Sequence, residues 1–330
     1  MRVGMRAARL APWLSCALAA CGPDHDPDRP GPPRVVHAYV VEAAYKADGT
    51  ATYLGLLTDP KFDPTDPDVW RTLPDLARAG SAGPYAPPTL LRAVLSELVE
   101  GDTLEDVAPD DAGHARATLR DGVITVSAQP KDPTRAPLDL AAAPMQASYF
   151  DPSGAETTGP PGPALVMAPR PTLPAGSIVT VTLSGAAIKD TRGHPMASDA
   201  TFSFETSDVA PTSINGSRLR ADAAPMELAA NATIQIGWNT LLLPASVVPA
   251  AFELRGPLAD AMPALIPVTV SFNTAVADAA GGVPTVTVKP QGPLAAGARY
   301  TLTLRSSVTD VYAMPLPADV TLTILAIPAK

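Results

Sequence analysis

The chain has 330 residues, 46% of them apolar, with 24 basic against 33 acidic side chains, 39 prolines and two cysteines. A net charge of −9 with no Lys/Arg cluster excludes the electrostatic footprint of a nucleic-acid binder, and two cysteines exclude a disulfide-stapled scaffold. Proline at about twice its usual share, with few aromatics and few charges, disfavours helical bundles and favours short strands joined by turns.

Residues 1–20 have the order of an export signal. Arg2, Arg6 and Arg9 form a positive start, and residues 10–20 form an apolar stretch too short to span a bilayer. Leu18-Ala19-Ala20-Cys21 at its end resembles the bacterial lipobox. That resemblance implies that the Cys21 thiol is acylated and that the chain is cut before it, making Cys21 the mature N-terminus of a palmitate-bearing lipoprotein. Cys16 then leaves with the signal, so the mature chain holds no free thiol and no disulfide. Loss of the three signal arginines leaves 21 basic against 33 acidic groups, a net charge of −12. Membrane contact is therefore expected through the lipid, each buried methylene contributing about 0.8 kcal/mol, because an acidic surface is not drawn to anionic headgroups. Gly22 stands where an Asp resembles an inner-membrane retention signal, which favours the outer membrane of the cell envelope.

Residues 22–34 alternate Pro, Asp and Gly with nothing apolar to bury, and read as a disordered or polyproline-like tether. Val35 to Val41 and Ala51 to Leu57 read as strands about an Asp48-Gly49 turn, an N-terminal extension of the first domain or a small separate hairpin. Thr89 to Val94 fits a helix by spacing. Comparison with the alternating Thr233 to Asn239 favours a strand instead. Further strands are expected at 123–128, 146–150, 165–168, 179–183 and 202–206, and again at 252–255, 268–272, 285–289, 299–305 and 320–325. Turn signals about every ten residues mark β-sandwiches.

The chain also repeats itself at about 120 residues. Leu173-Pro174-Ala175-Gly176 returns as Leu294-Ala295-Ala296-Gly297, and the stretch from Asp190 to Met196 returns from Asp310 to Leu316. Thr201-Phe202-Ser203-Phe204 returns as Thr321-Leu322-Thr323-Ile324. This period suits tandem domains rather than a solenoid. Pro169, Leu173 and Gly176, then Pro290, Leu294, Gly297 and Tyr300, with Asp190 and Gly193 closing the first copy, resemble the bacterial Ig-like domain of the SbsA type. The second copy keeps Asp310 but has Ala313 where the pattern has Gly. The first copy carries an insertion around residues 108–120. The expected fold is all-β, with Ig-like sandwiches over 35–207 and 208–330 joined near 207–211. Gly176 and Gly297 are expected at positive φ. Asp190 and Asp310 are expected to close Asx-type turns through their own backbone.

Few residues point to chemistry. His25, His37, His114 and His194 share no metal-ligand spacing, and no Gly-x-Ser-x-Gly elbow occurs. Asp59, Asp63, Asp66 and Asp68 crowd one loop, and Asp102, Glu105, Asp106, Asp110 and Asp111 another. Loop carboxylates suit Ca²⁺, although the spacing is not that of an EF-hand and a solvated acidic loop has the same composition. Asn215-Gly216-Ser217 and Asn231-Ala232-Thr233 match the glycosylation sequon, by chance in a chain with a lipobox. The reading is a non-enzymatic, cofactor-free, lipid-anchored envelope protein with structural or binding domains, partnered by the membrane and by an envelope protein or polysaccharide. The alternative is an adhesin or carbohydrate-binding lipoprotein, with Trp70, Tyr85 and Tyr312 as exposed stacking platforms. Trp238 is expected in the core.

Overall fold

A computed structural model describes residues 31–45, 51–53, 72–79, 81–97, 99, 104–107, 116–120, 122–140, 145–150, 164–169, 172–190, 192–219, 225–259, 262–273 and 284–328. The signal and most of the tether fall outside them. At the tether's end Pro33 is buried, Arg34 N–H donates to Ser96 Oγ and the Arg34 carbonyl accepts from Ser96 N–H.

The fold is all-β, two tandem Ig-like sandwiches. The first uses β1 (Val35–Tyr45), β2 (Ala51–Tyr53), β3 (Ser81–Tyr85), β4 (Thr89–Leu95), β5 (Leu104–Val107), β6 (Arg116–Leu119), β7 (Ile124–Pro130), β8 (Leu138–Asp139), β9 (Met145–Phe150), β10 (Ala164–Pro169), β11 (Ser177–Leu183) and β12 (Ala200–Thr206). The second uses β13 (Pro211–Ile214), β14 (Ser217–Arg218), β15 (Met226–Ala229), β16 (Ile234–Trp238), β17 (Phe252–Arg255), β18 (Leu265–Ile266), β19 (Val268–Asn273), β20 (Thr285–Pro290), β21 (Arg299–Leu304) and β22 (Val320–Ile327).

Strand order shows the duplication directly. One sheet of the first sandwich runs β2-β1-β4-β10-β9-β6-β5, and its counterpart in the second runs β14-β13-β16-β20-β19. The facing sheets run β3-β12-β11-β7-β8 and β15-β22-β21-β17-β18. Both facing sheets open with a parallel pair, β3 with β12 and β15 with β22. The two orders superimpose strand for strand, except that the first sandwich adds the β5–β6 hairpin at the β9 edge. Its strands, Leu104–Val107 and Arg116–Leu119, adjoin and overlap the stretch around residues 108–120 where an insertion is expected. The stretch from Val35 to about Gly83, expected as an extension or a small separate hairpin, contributes β1, β2 and most of β3, whose counterparts in the second sandwich are β13, β14 and β15. Sequence comparison missed this because the spacing between these strands differs in the two copies.

Period-two alternation explains each core. Ala38, Val40, Leu91, Ala93 and Leu95 from one sheet face Val126, Ala128, Val179, Val181, Leu183, Phe202 and Phe204 from the other. Ile234, Ile236, Trp238, Val286 and Val288 face Phe252, Leu254, Tyr300, Leu302, Leu304 and Ile324 in the second. Each such side chain contributes about 1.5–3 kcal/mol when fully buried. Residues 89–95 form a strand rather than a helix, and all seven are buried. Leu90, Arg92 and Val94 point away from the core, so that face of the sheet is covered too. Two sides buried remove the alternation, which is why the stretch also fitted a helical pattern. Asn215 (φ 46°) and Gly216 (φ 77°) make the tight turn between β13 and β14, and Asn215 Oδ1 accepts from Gln235 N–H at 2.7 Å. The Asn-Gly pair, also part of the sequon Asn215-Gly216-Ser217, is a hairpin signal.

Candidate functional site: the joint between the sandwiches

Each sandwich ends in a turn built on one aspartate. Asp190 Oδ1 accepts the N–H groups of Arg192 and His194, both at 2.8 Å. Asp310 Oδ1 accepts those of Tyr312 and Met314, also at 2.8 Å. The backbone repeats as well. Asp190 N–H bonds to the His194 carbonyl and Gly193 N–H to the Asp190 carbonyl, and the same pairs recur at Asp310, Met314 and Ala313. Gly193 has φ 83°, and Ala313 holds the equivalent position at φ 62°. The alanine thus keeps the turn geometry at a conformational cost that glycine avoids.

The second carboxylate oxygen distinguishes the two turns. Asp190 Oδ2 lies 2.8 Å from His194 Nδ1, within its own turn. Met314 replaces that histidine in the second copy, and Asp310 Oδ2 accepts instead from Ala175 N–H of the first sandwich at 2.8 Å. Tyr312 Oη donates to the Thr172 carbonyl at 2.8 Å, and its ring packs against both cores. Ala175 itself joins the second core. Gly176 (φ 57°), as expected, makes the turn that aims Ala175 N–H outward; a Cβ there would lie 2.6 Å from Asp208 Oδ1. Thr206 Oγ1 pins the same turn, donating to the Pro174 carbonyl at 2.7 Å and accepting from Ser177 N–H at 3.0 Å.

The linker is clasped from the other side. Asn239 Nδ2 donates to Ser207 Oγ (3.0 Å) and the Asp208 carbonyl (2.7 Å), while its Oδ1 accepts from Ala210 N–H (2.9 Å). A small cavity of about 170 Å³ remains between Lys131, Arg135, Asp208, Met314 and Pro317.

Electrostatics follow burial. Desolvation dominates at Asp310 and pushes its carboxyl upward, against the N–H groups of Ala175, Met314 and Tyr312. At Asp190 desolvation also acts upward. The N–H groups of His194 and Arg192 together with the His194 ring outweigh it, and the carboxyl is held below its ordinary value. Burial, helped by the nearby Asp310 charge, pushes the Tyr312 phenol up to about 12.

Cys21 and the acidic set Asp59, Asp63, Asp66 and Asp68 lie outside the described residues, as do Trp70, His25, His114, Asp102, Asp110 and Asp111. Glu105 and Asp106 fall in strand β5. Among the described residues no group of three or more His, Cys, Asp or Glu is placed to hold a metal ion, and no helix is long and apolar enough to cross a membrane. His37 Nδ1 lies 2.8 Å from Asp75 Oδ2, and its ring stacks on Tyr39.

Tyr312 and Tyr85, expected as exposed stacking platforms, are corrected. Tyr312 is half-buried in the joint with its hydroxyl engaged. Tyr85 is half-buried against the first core, edge-on to Phe204 at 6.1 Å, and its phenol is raised by burial. Sequence reading placed Asp310 in its turn but missed Thr172, Ala175 and Asn239 as its companions. A bond across 135 residues leaves no local signal. The nearest hint was Met314 standing where the first copy has His194.

No family model matches the chain, and no curated relative matches. Two solved structures are similar over long stretches. One is the N-terminal part of the bacterial S-layer protein SbsC, at 12% identity and a TM-score of 0.22, covering 71% of this chain and 41% of that one. The chain therefore spans less than half of that S-layer fragment. The other is the titin fragment A168169, at 8% identity and a TM-score of 0.22, covering 91% of this chain and all of that one.

Proposed function

We propose that the protein is a lipid-anchored component of the bacterial cell envelope. Cys21 carries the lipid at the outer membrane, and the two sandwiches act as a stiff, non-enzymatic module that meets an envelope protein or polysaccharide. The observation that carries the reading is the joint. Its buried carboxylate and its perturbed phenol, the kinds of group an active site would use, are engaged in holding two sandwiches end to end. A fixed angle between domains suits a spacer or a presenting arm. The string Leu18-Ala19-Ala20-Cys21 supports the anchor.

Metabolic labelling with palmitate tests this. The wild-type chain is expected to take label and to fractionate with membranes. Cys21→Ser is expected to lose the label and to leave the membrane fraction. Label retained on the serine variant would overturn the anchor.

A further inference from the structure

The second sandwich has, at its far end, the same surface that the first presents to the joint. There the Leu294–Gly297 turn replaces the Leu173–Gly176 turn, and Gly297 (φ 81°) repeats Gly176 (φ 57°). Residues 256–259 and 262–264 stand where the first sandwich carries Lys131 and Arg135. Leu258 N–H bonds to the Arg299 carbonyl and Gly297 N–H to the Ala326 carbonyl, so loop, turn and the end of β22 meet at one place. In the joint this surface is covered: Ala175 is 1% exposed and its N–H is taken by Asp310. At the far end the corresponding Ala296 is exposed, and its N–H has no acceptor among the described residues. Leu258 (38% exposed), Met262 (87%) and Leu265 (56%) lie along the stretch that follows β17, three of the five large apolar side chains left exposed among the described residues, and Leu258 is the one whose backbone bonds to the turn, at Arg299. Exposed Arg299 leaves the turn beside them, as Arg135 stands near Asp310 in the joint.

We propose that this end of the second sandwich is a docking surface for the aspartate-turn end of a β-sandwich on a separate protein. The occupant presents an uncapped carboxylate to Ala296 N–H and apolar side chains to Leu258, Met262 and Leu265. The internal joint is the template for the contact, and Arg299 supplies the complementary charge. Exposed apolar side chains on the same end as an unused backbone donor suit an interaction site.

The chain's own first sandwich is kept from that place. Its Asp190 is capped by His194 at 2.8 Å, so a second copy offers no free carboxylate. Without the cap, head-to-tail contacts would not close and would grow filaments. The inference is independent of the lipid anchor, because its test reads association rather than labelling.

The test gives the first turn the residues of the second. The full chain carrying Arg192→Tyr and His194→Met is compared with wild type by sedimentation velocity in density-matched detergent. Wild type is expected to stay monomeric. The variant is expected to reach a concentration-dependent mass about twice the monomer or more, and adding Met262→Asp and Leu265→Asp is expected to restore the monomer. Should the double variant not melt cooperatively, His194→Met alone, at a side chain 60% exposed, uncaps Asp190 without disturbing the core. A folded, uncapped variant that stays monomeric overturns the proposal, as does association that survives the Met262 and Leu265 changes. Wild type associating as strongly as the variant would overturn the capping role of His194.

Discussion

Replacing Asp310 with alanine tests the joint directly, because Asp190→Ala makes the same change in the matching turn outside it. Asp310 accepts three N–H groups at 2.8 Å, two from its own turn and one from Ala175 in the other sandwich. Met314, Ala175 and Asp310 are all buried, so water cannot replace the lost acceptor freely. A buried donor left without a partner costs about 1–3 kcal/mol, which puts Asp310→Ala at about 3–5 kcal/mol after local relaxation. Asp190 accepts two N–H groups from residues that are exposed, where water substitutes. Asp190→Ala should therefore cost about 1–2 kcal/mol. Urea unfolding provides the assay. In a Trp70→Phe background, fluorescence of Trp238, wholly buried in the second core, and far-UV circular dichroism, which sees both sandwiches, should coincide with Asp310 present and separate in Asp310→Ala. Equal losses for the two variants, or probes that stay coincident in Asp310→Ala, would refute the view that Asp310 couples the sandwiches.

Two further outcomes are expected. The Tyr312 phenol is raised in the folded state from about 10 to about 12, so its stabilising contribution is full below pH 10 and is lost as pH rises through 12. Discounted for partial exposure, the loss is about 1–2 kcal/mol; Tyr312→Phe should flatten stability between those values, measured by urea midpoints at stepped pH. Ala313→Gly should stabilise by about 1 kcal/mol and Gly193→Ala should cost a similar amount, read from melting curves. The Gly193 cost is conformational alone, since a Cβ there meets nothing within 4 Å.

Much of the fold was legible because β-sandwich physics is local. Alternation in Val179 to Leu183 or Thr285 to Lys289 needs only one buried face, and the turns at Gly176 and Gly297 need only positive φ. Legibility failed where that locality failed. Residues 89–95 are buried on both sides and lose their alternation. β1 pairs with β4 and β3 with β12, each more than 40 positions away, so this stretch looks like an appendage in the sequence although it belongs to both sheets.

The candidate site divides the same way. Sequence by itself determined the two aspartate turns, because an Asx turn is closed by N–H groups two and four residues on. Only the tertiary structure decided that one turn is capped by His194 while the other grips Ala175. A carboxylate has a second oxygen, and its partner is set by which surface the packing of two sandwiches brings within hydrogen-bond reach.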